Sequence, residues 1–143
     1  MEILRLPARI ESLEPFREFV DRLAGGEGGG ADRLSRMELV LEEVLTNLVH
    51  HAYKGRTGDA EVGCEIQPDG TALLRFTDWG PPFNPLEQSA PDVGAVLEER
   101  QVGGLGIHLV RHTADEVSYR RDGEKNVLSV LFSKTPRKRE TTA

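Results

Sequence analysis

The sequence predicts an α+β fold, a two-layer α/β sandwich in which a mostly antiparallel sheet is covered on one face by helices. Two observations carry this reading. Residues 60–67 and 71–78, then 116–121 and 126–133, alternate in the strand manner around the turn formers Pro68-Asp69-Gly70 and Asp122-Gly123, and so read as two antiparallel hairpins. Helical spacing fills the segments before and between them, giving the order β-α-α-β-β-α-β-β with no internal repeat. That order fits a parallel dinucleotide-binding sheet poorly, because such a sheet alternates strands with helices.

Residues 2–6 read as a short strand. Leu13, Phe16, Phe19, Val20 and Leu23 then recur at helical spacing, with Ser12 placed to cap the start. Gly25 to Gly30, broken only by Glu27, reads as a flexible connector, since each glycine loses extra backbone entropy on ordering. From Asp32, placed as a cap, to about Tyr53, the residues Leu34, Met37, Leu41, Val44, Leu45, Leu48 and Ala52 form one apolar stripe on the longest helix. The second strand of the first hairpin ends at Asp78. Residues 83–102 mix proline, acidic and aliphatic residues without a period, the mark of a lid or mobile loop, with room for a helical turn near 93–99. Helical spacing returns over 105–114, ahead of the last hairpin.

The 143 residues suit one domain over 1–135, followed by a basic, disordered tail at 136–143. Lys and Arg number 18 against 24 Asp and Glu, a formal charge of −6, which argues against direct nucleic-acid binding. Cys64 is the only cysteine, so no intrachain disulfide can form, and its alternation with Val62 and Ile66 places a structural thiol on an apolar strand face. No run approaches a membrane span and the N-terminus lacks the features of a signal peptide, so the expected location is the cytoplasm, with no membrane partner.

Three stretches carry the chemistry. Glu43 and Asn47 stand four apart on the long helix, one above the other and away from its apolar stripe. An amide oxygen there suits Mg²⁺, which takes further ligands from phosphates and water, and a carboxylate one turn earlier can act as a base; a plain solvated helix face has the same composition. Neighbouring His50 and His51 point in different directions and read as helix-end residues rather than zinc ligands. Asp78 enters the turn Trp79-Gly80-Pro81-Pro82-Phe83, where its oxygens can accept from a purine amine or cap the turn, while Trp79 and Phe83 read as packing residues. Gly103, Gly104 and Gly106 allow close backbone approach at a helix start that aims free N–H groups at phosphate, or they form a hinge. Neither a P-loop nor a Rossmann fingerprint is satisfied, since Leu109 stands where the third Rossmann glycine belongs.

In that order and spacing, Glu43-x-x-x-Asn47, Asp78-Trp79-Gly80-Pro81-Pro82-Phe83-Asn84-Pro85 and Gly103-Gly104-Leu105-Gly106-Ile107 make the chain resemble the GHKL ATPase superfamily. Within it the chain is similar to the small bacterial anti-sigma-factor serine/threonine kinases of the RsbW type, from about residue 8 to 134. Pro82, standing where sensor histidine kinases often have a second glycine, favours that branch. The resemblance implies the Bergerat ATP-binding fold and the cofactors ATP and Mg²⁺. It implies Asn47 as Mg²⁺ ligand, Glu43 as the catalytic base toward a protein serine, and Asp78 on the adenine amine. Gly80 would keep the base pocket open, Gly104, Leu105 and Gly106 would serve the phosphates under a lid of roughly residues 84–102, and Asn126 would close the adenine side. Arg17 matches a partner-contact position. The implied partners are a sigma factor, an antagonist protein with an acceptor serine, and a second copy in a homodimer. Two other functions fit the same motifs: a nucleotide-dependent regulator that grips its partner without catalysis, and a switch kinase acting on a scaffold and activating a phosphatase.

Overall fold

The computed structural model describes residues 1–26, 30–53, 57–87 and 104–134. Residues 27–29 of the glycine connector, the helical turn expected near 93–99, all of the expected lid beyond residue 87, Gly103 and the basic tail lie outside them. Five strands, β1 (Glu2–Pro7), β2 (Asp59–Ile66), β3 (Ala72–Asp78), β4 (Glu116–Asp122) and β5 (Lys125–Phe132), form one antiparallel sheet in the order β1-β2-β3-β5-β4. The helices are α1 (Leu13–Ala24), α2 (Gly30–Asn47) and α3 (Gly104–Thr113). Both hairpins turn where glycine was expected to allow it: Gly70 and Gly123 adopt φ of 89° and 60°, in the left-handed region that costs glycine least. Asp69 adds a local lock, its Oδ1 accepting the Thr71 N–H at 2.9 Å.

Alternation along the strands separates two faces. Val62, Cys64, Leu74, Phe76, Leu128, Val130 and Phe132 point to one side, where they pack with Phe16 and Val20 of α1, Met37, Val40, Leu41, Val44 and Leu45 of α2, and Val110 of α3. All three helices therefore cover a single face. Cys64 is buried there as expected, and burial pushes its thiol up to about 11, so it stays protonated and inert at neutral pH. Asp78 and Asn126 are cross-strand partners on this same covered face. The other face carries Ile3, Arg5, Glu61, Arg75 and Trp79, with the Arg5 guanidinium 4.1 Å from the Trp79 ring centre and the Lys125 ammonium 5.8 Å from it.

The helix boundaries differ from the sequence reading in three places. Ser12 occupies the cap position of α1, but its Oγ donates to the Pro7 carbonyl at 2.6 Å rather than accepting from the helix, so it fastens the end of β1 instead. Asp32 lies inside the first turn of α2, where it pairs with Arg36, and is not its cap. The α-helix also stops at Asn47, and residues Leu48–Ala52 form a π turn closed by the Tyr53 N–H on the Leu48 carbonyl at 3.1 Å. Two arginines hold α2 in place. Arg33, buried, donates to the Gly70 carbonyl at 2.5 Å, and Arg36 donates to the Thr113 carbonyl at the end of α3 at 3.2 Å.

Candidate active site

The C-terminal half of α2 and the ends of β3 and β5 border an open cavity. Its floor is apolar, built by Val44, Leu48, Phe76, Val110 and Leu128. Its polar groups are few, and they include the residues singled out from the sequence: Glu43, Asn47, Asp78 and Asn126 line it together. The extremes of this set, Glu43 and Asn126, lie far apart in sequence and meet because α2 lies across the sheet beside the β3–β5 pair. A mostly apolar hollow with a handful of convergent polar groups is the usual form of a small-molecule site.

At one end Asp78, 5% exposed, closes β3. Its Oδ1 accepts the Gly80 N–H at 2.8 Å and an Asn126 Nδ2–H at 3.0 Å, which orients the carboxylate, and among the described residues both bonds fall on that one oxygen. Burial raises the Asp78 pKa, against the pull of those two hydrogen bonds and the Arg121 charge. Asn126 is fully engaged within the protein: besides Asp78 its Nδ2 donates to the Pro81 carbonyl at 2.9 Å, and its Oδ1 accepts the Tyr119 hydroxyl at 2.5 Å and the Phe83 N–H at 3.3 Å. Its polar atoms hold the turn in shape, so it lines the cavity while acting on Asp78 and the turn. Gly80 sits in that turn, its carbonyl accepting from Arg121 Nη1 at 2.9 Å. Phe83, read as a packing residue, lines the cavity, whereas Trp79 projects to the opposite face of the sheet.

At the other end Asn47 is 8% exposed, and its Oδ1 is buried without a hydrogen-bond partner among the described residues. A dry, unpaired amide oxygen is costly unless something fills the vacancy in its bonding. Among the described residues no group of three or more His, Cys, Asp or Glu could hold a metal ion by itself. A hard cation that draws its remaining ligands from phosphates and water fits this oxygen well. Glu43, one turn earlier and half-buried, has a raised pKa, first from burial and then from the neighbouring Glu42 charge, which brings a carboxylate closer to the pH at which a base works best. Gly104, Leu105 and Gly106 open α3, which borders the cavity through Val110. Arg17 lies apart on α1, where its Nη1 donates to Glu14 at 3.2 Å and its Nε stands 4.0 Å from Glu38 of α2.

Comparison with known proteins gives the family of the chain. Residues 6–132 match the family described as the histidine kinase-like ATPase domain. The chain belongs to this family. Proteins similar to this histidine kinase-like ATPase include the serine-protein kinase RsbW of Listeria monocytogenes, 29% identical over 134 residues that cover 90% of this chain and 85% of the relative. The serine-protein kinase RsbW of Bacillus mycoides is 25% identical over 133 residues, covering 90% and 82%. The resemblance to RsbW-type kinases read from the motifs is therefore matched along nearly the whole chain. Among solved structures, the RsbU and RsbW domains of a Mycobacterium tuberculosis protein share the fold with a TM-score of 0.59 at 13% identity, over 93% of this chain and 32% of that one. The histidine kinase domain of a blue-light activated histidine kinase from Erythrobacter litoralis gives a TM-score of 0.50 at 18% identity, covering 85% of this chain and 59% of that one.

Three residues of the site had no signal in the motifs. Tyr119, Arg121 and Tyr53 reach the Asp78 turn from β4 and from beyond the π turn, through contacts set by strand pairing and helix packing. The signal that was available is modest: Tyr119 falls on the covered face by alternation, where a hydroxyl needs a partner.

Proposed function

We propose that this ATPase-family protein is an ATP-dependent serine kinase, a single catalytic domain over residues 1–135, that phosphorylates a small antagonist protein and binds a sigma factor. The observation that carries the reading is the pairing, in one cavity, of an oriented Asp78 carboxylate, both of its bonds falling on one oxygen among the described residues, with an orphaned Asn47 oxygen and the raised Glu43. Asp78 Oδ2 would accept from the adenine amine, which guanine lacks at that position. Asn47 would hold Mg²⁺, which when bound neutralises phosphate charge and aligns the γ-phosphoryl group. Glu43 would take the proton of the serine hydroxyl as the new Oγ–P bond forms and the bond to the β-phosphate oxygen breaks, releasing ADP. The first turn of α3, with Gly104, Leu105 and Gly106, would offer backbone N–H groups to the phosphates.

The partners follow from the similarity to RsbW kinases, as does the role given to Arg17 as a partner contact. A homodimer through the uncovered sheet face fits the composition of that face, where Ile3 is 50% exposed among Arg5, Glu61 and Arg75. Among the described residues no helix is long and apolar enough to cross a membrane, in keeping with a cytoplasmic role. The test is to incubate the protein with ATP, Mg²⁺ and an antagonist-type domain bearing a serine, then to read phosphoserine by mass spectrometry and the oligomeric mass by light scattering. Nucleotide binding without phosphoserine would instead make it a regulator that grips partners without catalysis, and a monomeric mass would remove the dimer.

A further inference from the structure

Tyr53 stands outside every motif that the sequence offers, yet its hydroxyl joins three parts of the site. The residue is 8% exposed, and a buried phenol needs hydrogen-bond partners. It has two. The hydroxyl donates to the carbonyl of Asp59, the first residue of β2, at 2.6 Å, and accepts the backbone N–H of Trp79 at 2.9 Å. That N–H belongs to the peptide unit linking Asp78 to Trp79, so the hydroxyl fixes the peptide plane from which the Asp78 side chain is presented.

The approach of the ring is equally constrained. The π turn uses an i to i−5 bond from Tyr53 to Leu48, so Tyr53 stands about where residue 52 would in an uninterrupted α-helix. The ring lies against Gly58, where an added Cβ would come within 2.1 Å of Tyr53 Cε1, and no other residue fits there without displacing it. Gly58 in turn accepts the Ala8 N–H at 2.7 Å, tying the latch to the end of β1. Burial above all, with the charges of Asp78 and Asp59 behind it, keeps the phenol protonated and able to donate, against the Trp79 hydrogen bond and Arg5.

We propose that Tyr53 is a positioning residue that locks α2, the bearer of Glu43 and Asn47, to the Asp78–Trp79 peptide and so sets the span between the phosphate and adenine ends of the site. The proposal rests on reading the cavity as an ATP site, and its test separates the two. In the full chain, Tyr53→Phe removes only the hydroxyl. ATP affinity, measured by calorimetry, is expected to fall about five- to twentyfold, the size expected for losing a buried hydrogen bond. In an Asp78→Asn background the same change is expected to cost less than about twofold, because Tyr53 acts through Asp78. Losses that multiply in full, or an unchanged affinity with only a lowered melting temperature, overturn the proposal.

A measurement without nucleotide keeps the latch testable even if ATP does not bind. Hydrogen exchange of the Trp79 amide, followed by NMR, is expected to speed up at least about tenfold in Tyr53→Phe relative to the β3 amides before it. Unchanged protection sinks the latch whatever the ligand; faster exchange with no ATP binding in the wild type sinks the ATP reading and leaves the latch. Gly58→Ala, which displaces the ring and keeps the hydroxyl, is the second variant and is expected to loosen the same amide.

Discussion

Around Asp78 the polar groups of the cavity are bonded to one another, whereas around Asn47 a buried oxygen is left without a partner among the described residues and Glu43 has its pKa raised by burial. The first region is finished by the protein itself. Asn126 spends both of its donors and its acceptor on the turn, and Arg121 closes it from β4, so the carboxylate faces the cavity in one orientation before any ligand arrives. The second region is left incomplete by the described residues. On the proposed reading this is a division of labour: selection of the nucleobase would rest on prior order, and reactivity on groups kept under-satisfied until a cation and phosphates reach them.

Removing the Glu43 carboxylate should break the unfinished end most severely. Glu43→Gln is expected to slow phosphoryl transfer to serine by about 10²–10⁴ while leaving ATP affinity within a fewfold, measured by single-turnover assay and calorimetry. A rate within threefold of wild type would falsify the base assignment. The pH profile carries the same information. A base must be ionised, so the wild-type rate should climb as pH rises through the raised Glu43 value and level off above it, and the variant should lack that limb.

A smaller loss is expected at the finished end. Asp78→Asn can keep an oxygen toward Gly80 and Asn126, but it then turns an amide donor toward the adenine amine, and ATP affinity should fall about ten- to a hundredfold. An inosine nucleotide, with an acceptor in place of the amine, should lose much less, and equal losses for both would show that Asp78 does not read the base. Stability should move the other way. The folded-state pKa of Asp78 is raised, so its contribution favours folding below about 3.8, the ordinary aspartate value, and is lost as pH rises through the folded value. At neutral pH the ionised carboxylate is therefore a cost, and the asparagine variant should melt no lower than wild type without nucleotide.

The gentlest test sharpens the comparison at Asn47. Asn47→Leu replaces an orphaned amide by an apolar group of similar size and should stabilise the nucleotide-free protein by about 1–3 kcal/mol in denaturant titrations, while abolishing the Mg²⁺ dependence of ATP binding. A loss of stability would mean that the amide is satisfied after all.

The fold was largely legible because its signals are local. Alternation in β2, β3 and β5, and glycines at 70 and 123, mark strands and turns within a few residues of one another. The helix ends were less so: a π turn leaves the composition of an apolar stripe unchanged, and Ser12 bonds backward to Pro7 in competition with capping. For the candidate site, short spacings singled out Glu43, Asn47 and Asp78 but left a solvated helix face or a turn cap equally open, and the resemblance supplied their roles; the structure brings the three to one cavity. The contact from Trp79 to Tyr53 spans 26 positions and that from Arg121 to Gly80 spans 41, and no local pattern encodes either.

On β3, Asp78 looks into the cavity while its neighbours Thr77 and Trp79 look out across the opposite face, and β2 and β5 fix this register from both sides. Gain or loss of one residue between Gly70 and Asp78 would therefore exchange the two faces, carrying the carboxylate out of the site and an indole or a hydroxyl in. The length of this strand is as much a part of its inheritance as its side chains, so natural variation in chain length should collect at the Gly123 turn and be purged from the stretch that leads to Asp78.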